Sequence, residues 1–341
     1  MTLGKSGKRG VLIVAIAIAI GCHDSSPPST SPSPAPGGSS ATFAFRASPI
    51  VPSAIEFIAP LGNLNPPDHT LPTDHIYLYH RLNNPSSPPR TVVAPGDGTI
   101  QSIISHNSDV KLLIRGASTF TYYLDHVVVD ASVRQGSAVT AGQTLGVTSG
   151  GAFGIDLGLI NDAMTVPFLA PSRYASESLH GDAPLKHFDE PLRTQLYALV
   201  RRSADDRDGT FNYDVAGRLS GNWFAEGLPP SESTLPSAWS RHLAFVYDNY
   251  EPASIRIASG GALGVVGAFG VPPGSISPRD VSPSSGKIAY RLFQAAGTST
   301  FGSQVGLLLV QMLAADRVQC EYVPGAATDA TFSSSARVFL R

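Results

Sequence analysis

The chain has 341 residues, a formal net charge of −2, 42% hydrophobic and 15% charged residues, and only two cysteines. No Lys/Arg cluster of the nucleic-acid-binding kind is present, so no nucleic acid partner is expected. Two cysteines give at most one disulfide, so the fold must be held by apolar cores, and the length suffices for two of ordinary size.

Residues 1–22 read as an address. Lys5, Lys8 and Arg9 precede an unbroken apolar run, Val11 to Ile20, that is shorter than the ~20 residues a membrane-spanning helix needs. The run ends in Ala19-Ile20-Gly21-Cys22. This resembles a bacterial lipoprotein signal, with Ala19 where Leu is usual, and implies lipidation of Cys22 after cleavage. Acyl chains would then anchor the chain to a membrane without a spanning helix. His23 stands where an Asp would retain the protein in the inner membrane, so the expected location is the outer membrane, facing the periplasm or the cell surface. Loss of Lys5, Lys8 and Arg9 takes the formal charge from −2 to −5. Cys320 is left alone, with no disulfide available. Residues 23–40 form a Pro/Ser/Gly tether with almost nothing to bury.

The organising stretch is Thr91 to Asp162, within a first β domain over residues 41–165. Two β-rich runs, Asp109–Gly116 and Ser118–Asp130, lie between turn signals. Ala94-Pro95-Gly96-Asp97-Gly98 predicts a tight turn whose glycines take positive φ, and Gly136 and Gly142 predict a second hairpin of the same kind. Upstream, Asn63 to His80 gathers His69, His75 and His80 with Asp68 and Asp74. Residues 166–208 read as a connecting segment with one helix from Pro191 to Arg202. Pro191 is placed in its first turn, Leu192, Leu196, Leu199 and Val200 on one face, and Arg201 and Arg202 at its C-terminal end.

Residues 209–341 show a series of short strands at regular spacing, which predicts a second antiparallel β sandwich or barrel. Gly221-Asn222-Trp223 resembles the Gly-x-Trp near the start of lipocalin-like barrels, with Trp223 and Phe224 expected as core aromatics. Asp205, Asp206, Asp208, Asn212 and Asp214 lack the ligand alternation of a calcium loop and read as a polar turn. Val305–Leu313 reads as a buried strand. The chain has no phosphate-binding Gly-rich motif, no Gly-x-Ser-x-Gly elbow and no Cys-x-x-Cys.

The order of features from Pro66 to Asn161 resembles the lysostaphin/LytM-type zinc endopeptidases of bacterial cell walls. The resemblance is carried by Val93-Ala94-Pro95 with Asp97-Gly98, by Gly136–Val139, by Ala141–Gly146 and by the Gly-rich loop Thr148–Gly154. It covers under a third of the chain and implies a mainly β fold: a lysostaphin/LytM-like small β domain, related to the barrel-sandwich hybrid. It also implies zinc held by a His and an Asp on an early strand and by the second His of a late His-x-His strand. Here that late strand is Gly154-Ile155-Asp156-Leu157-Gly158, with Asp156 at the first histidine position and Gly158 at the zinc-ligating one.

Glycine offers no donor atom. Tyr123-Leu124-Asp125-His126 is a loose version of the family's Tyr-x-His-Leu segment, and His69 and Asp74 stand five apart where the family has four. The candidate metal ligands are then His69, His75 or Asp74, and Asp156, with His126 and Asp156 as the catalytic candidates. Three ligands and an open position would suit catalytic zinc. Otherwise the site carries no cofactor, and Asp156 caps a turn or pairs with His126.

Three functions follow as expectations. The first is a non-catalytic envelope lipoprotein that binds peptidoglycan or an envelope protein through the old groove. The second is an active zinc endopeptidase with unusual ligands. The third is a small-molecule or lipid carrier using the C-terminal barrel, which a large apolar cavity around Trp223 would favour and a filled core would oppose.

Overall fold

The computed structural model describes residues 43–341 apart from 107, 118, 296–300 and 326–327. The signal, Cys22 and the tether lie outside the described residues.

Ten strands form the first sheet: β1 (Phe57–Ala59), β2 (His75–Tyr79), β3 (Thr91–Val93), β4 (Gly98–His106), β5 (Asp109–Arg115), β6 (Phe120–Val129), β7 (Ala138–Val139), β8 (Thr144–Thr148), β9 (Gly154–Asn161) and β10 (Gly181–Asp182). Its main path runs β1-β2-β9-β6-β5-β4-β7, with β10 beside β9 and β3-β8 branching from β6. Every pairing is antiparallel. β9 is central, between β2 and β6, and seven of its eight residues are buried. Burial of both faces explains why β9 shows no polar alternation. Ile155, Leu157 and Leu159 join Ile76, Leu78, Tyr122 and Leu124 in the first core. Asp156 and Gly158 face the other way, as the two-residue repeat requires.

Residues 166–208 contribute to that core through Leu185, Phe188, Leu196 and Val200. Two helices lie here, α1 (Ser176–Leu179) and α2 (Leu192–Ala198). The sequence placed a helix from Pro191 to Arg202, but α2 stops at Ala198, with Pro191 as its N-cap. The reason is a competing partner. The amide of Ile58 in β1 donates to the Leu199 carbonyl and the Arg201 amide donates to the Ile58 carbonyl, which pulls the chain straight. Arg202 therefore leaves the helix end, and its guanidinium donates to the Asn249 carbonyl at 2.7 Å.

The turn at Ala94–Gly98 forms, but Gly96 and Gly98 do not adopt positive φ. Gly98 is required by proximity instead: a Cβ there would stand 2.6 Å from the Arg115 carbonyl oxygen. Gly136 (φ 83°) and Gly142 (φ 84°) do take the left-handed conformation.

Eight strands form the second β region: β11 (Gly221–Ala225), β12 (His242–Tyr247), β13 (Ile255–Ser259), β14 (Gly267–Gly270), β15 (Ile288–Ala295), β16 (Phe301–Ala314), β17 (Arg317–Pro324) and β18 (Arg337–Leu340). They close in chain order into an antiparallel barrel, β18 pairing with β11. The fold class is thus mainly β, a small β domain followed by an antiparallel barrel, and Val305–Leu313 lies within β16 as expected. No described helix is long and apolar enough to cross a membrane.

The barrel interior is filled. Trp223, Phe245, Tyr290, Leu308, Val310 and Phe339 are all at most 1% exposed. The Trp223 indole N–H donates to the Leu219 carbonyl at 2.8 Å, and the Arg341 guanidinium lies 4.0 Å from the ring centroid. The acidic stretch 205–214 forms polar turns: the Asp208 amide donates to Asp206, the Asp214 amide to Asn212, and Asp214 receives the amides of Leu169 and Asn222.

Candidate functional site

Backbone register brings the sequence candidates together on the outer face of the sheet. His75 of β2 and Tyr123 of β6 both stand opposite Gly158 of β9. One step along, Tyr77 and Asp125 stand opposite Asp156. An early-strand histidine and the late-strand glycine therefore stand side by side, which is where the lysostaphin/LytM resemblance implies zinc.

The groove floor is occupied by protein. A Cβ built on Gly158 would stand 2.0 Å from Cζ of Tyr123 and 2.5 Å from its hydroxyl oxygen. Tyr123 is 2% exposed, and its hydroxyl donates to Asp74 Oδ1 at 2.9 Å and lies 3.1 Å from His75 Nδ1. A glycine within a strand marks a close approach by a neighbour, and here the neighbour is an aromatic ring. From above, α1 covers the groove: Ser178 donates to Asp74 Oδ2, and Glu177 pairs with Lys111 at 2.5 Å. The Lys111 ammonium sits 3.8 Å from the Tyr123 ring centroid.

His75 is held on both sides. Its Nδ1 lies 3.1 Å from Asp74 Oδ1, and its Nε2 lies 3.0 Å from the Tyr77 hydroxyl and 3.4 Å from Asp156 Oδ2. Burial pushes the His75 pKa down, but the Asp74 hydrogen bond and the Asp156 and Asp74 charges outweigh it, and the net shift is upward. Burial pushes Asp74 up, and hydrogen bonds from His75 and Ser178 with the His75 charge hold it well below the usual carboxylate range. Asp156 is raised by burial, against the pull of His75 and His126. His69 is lowered to about 4 by burial and by the neighbouring His75, whose ring centroid is 5.5 Å away.

The predicted site residues therefore share one region without forming one ligand sphere. His126 Nε2 lies 3.7 Å from Asp156 Oδ2, so the catalytic candidates are neighbours. Among the described residues, His69, Asp74, His75 and Asp156 supply no trio whose donor atoms lie within 4.8 Å of one another. Zinc in the family's manner does not fit: Gly158 gives no donor, and the Tyr123 ring fills the space a ligand side chain would take. The only trio that meets this distance among the described residues is Asp109, Asp125 and His126. Asp109, Lys111, Glu177 and Ser178 carried no signal in the sequence. Gly158 carried one, since a glycine within a strand marks a close approach by a neighbour, without saying which residue it is.

No protein-family model matches the sequence. No curated protein matches it either. Solved structures with some likeness include lysostaphin and M23-type peptidases. Lysostaphin matches with TM-score 0.26 and 11% identity, over 79% of this chain and 80% of that one. Csd3 of Helicobacter pylori matches with TM-score 0.28 and 14% identity, over 36% of this chain and 33% of that one. A zinc-containing peptidase of Vibrio cholerae matches with TM-score 0.29 and 16% identity, over 35% and 37%. This chain thus spans about a third of the length of the first structures it matches.

Proposed function

We propose that the chain is a non-catalytic cell-envelope lipoprotein, anchored through Cys22 in the outer membrane. Its peptidase-like groove binds peptidoglycan or an envelope protein and does not cut it. One observation carries the reading: the side-chain space of Gly158 is filled by Tyr123, whose hydroxyl is bonded to Asp74 and close to His75. Catalytic zinc needs three protein ligands and an open position for water. A donor deleted and then replaced by a packed ring gives neither.

The experiment is co-sedimentation of the purified mature chain with isolated sacculi, together with analysis of released muropeptides in the presence of zinc. Retention on sacculi or on an envelope protein without release is the expected result. Release of muropeptides, with stoichiometric zinc lost in Asp156→Ala, would establish the endopeptidase reading instead. The carrier reading lacks its requirement, since the space around Trp223 is packed with side chains.

A further inference from the structure

We infer that the sheet face beside the blocked groove binds one divalent transition-metal cation through Asp109, Asp125 and His126. Asp109 and His106 are paired residues at the connected end of the β4-β5 hairpin, and Asp125 and His126 are consecutive in β6. Consecutive strand residues normally point to opposite faces. Here the β5-β6 register slips between Val110 and Leu112, and His126 adopts φ 66°. This bulge lets both side chains converge, as bulges do when they re-aim a side chain. One donor atom from each of Asp109, Asp125 and His126 lies within 4.8 Å of the others, and His106 Nε2 is 3.6 Å from Asp125 Oδ1.

A second observation is independent of that trio. Asp156, directly across from Asp125, has a side chain only 7% exposed. It accepts no hydrogen bond from any described group, and its nearest nitrogens are Nε2 of His75 at 3.4 Å and of His126 at 3.7 Å. Asp109, Asp125 and Asp156 thus form a group of three carboxylates whose ion-pair neighbours, among the described residues, are imidazoles alone. Like charges gathered at a partly buried place are stabilised by a bound cation.

Donor chemistry decides the class of metal. An imidazole with two carboxylates suits zinc, cobalt, nickel or manganese, whereas calcium and magnesium take oxygen donors. Donors bound at ~2.0–2.2 Å can lie no more than about 4.4 Å apart, so the trio must tighten by a few tenths of an ångström. His126 faces Asp109 with Nδ1 at 3.4 Å and Asp156 with Nε2 at 3.7 Å. With Nδ1 on the metal beside Asp109, Nε2 meets the Asp156 carboxylate, which fixes the ring, as metal-bound histidines require. The His106 and His126 side chains are 47% and 39% exposed, which gives the ion access from solvent.

The test is calorimetric titration of the chelator-treated full chain with zinc chloride, repeated with cobalt(II) and read by visible absorption. One equivalent should bind. Asp125→Asn and His126→Ala should each weaken it tenfold or more, while His69→Ala stays within twofold. X-ray absorption of the wild-type zinc complex needs no variant and should show imidazole in the coordination shell. No uptake, a shell without imidazole, or affinity unmoved by both variants would overturn the site. The inference is independent of the non-catalytic reading: muropeptide release by the zinc-loaded chain would refute that reading alone, and lack of uptake would refute this site alone.

Discussion

The sheet groove and the barrel interior both bury aromatic rings under a cation, yet they treat polar groups in opposite ways. In the barrel, Arg341 over Trp223 is 3% exposed and donates to the carbonyls of Asn222, Val215, Arg218, Leu219 and Ser220, which closes one end. In the groove, Lys111 over Tyr123 belongs to a set of carboxylates and imidazoles on a bulged strand, where Asp156 meets His75 and His126 at 3.4 and 3.7 Å. A cation spent on backbone carbonyls closes a fold, whereas titratable side chains gathered against one another are the mark of a site.

The sharpest way to break this contrast is to open the barrel. Trp223→Ala removes a fully buried ring and leaves Arg341 without its platform, and should cost about 3–5 kcal/mol, read by urea denaturation. A loss below about 1 kcal/mol would mean the interior has room for a ligand after all, and would revive the carrier function.

A pH measurement sharpens it next. His242, 5% exposed, has its pKa lowered to about 4 by burial and by the charge of Arg173, against a hydrogen bond to the Ser233 carbonyl. A histidine lowered in the folded state contributes stability that is present above its unfolded value near 6.5 and lost as pH falls towards 4. Wild type should therefore lose up to about 3 kcal/mol more than His242→Gln between pH 7 and 4. Equal slopes would show that this imidazole is not buried as a neutral group.

Gly158→Ala probes the groove itself. The added methyl meets the Tyr123 ring, and overpacking of this kind costs about 1–3 kcal/mol. In the background Tyr123→Ala the same change should be nearly neutral, because the obstructing ring is gone, and the double-mutant cycle should show that coupling. Additive losses would mean that Tyr123 does not fill the ligand's place.

The sequence carried the strands, the hairpin glycines Gly136 and Gly142, the barrel and the absence of a donor at Gly158, because each depends on local pattern or residue identity. It missed what depends on register. Nothing in Tyr123-Leu124-Asp125-His126 says that Tyr123 stands opposite Gly158, or that a slip at Val110 turns Asp125 and His126 together towards Asp109. Helix α2 was overrun for the same reason: Leu199 and Arg201 hydrogen-bond Ile58, a residue more than a hundred positions away. The local spacing of leucines contains no trace of that partner.

The smallest expected effect separates the two cation–ring contacts. Lys111 is 15% exposed, and its partner Glu177 is 30% exposed in a four-residue helix at the groove's rim. Solvent near that rim screens the pair, and the ring contact adds about 0.5–1 kcal/mol. Lys111→Met keeps the methylene stem against Tyr123 and should cost only about 1 kcal/mol at pH 7. The analogous Arg341→Met removes donors from five carbonyls in a dry place, where each acceptor left unpaired costs about 1–3 kcal/mol, and should cost several times more. Lys111→Met should also weaken the tie between α1 and the sheet, seen as faster hydrogen exchange at Leu179 and His180, whose amides bond within that short helix. A loss for Lys111→Met as large as for Arg341→Met would place the groove among the parts that hold the fold together, and its loose polar cluster would then need a structural explanation rather than a binding one.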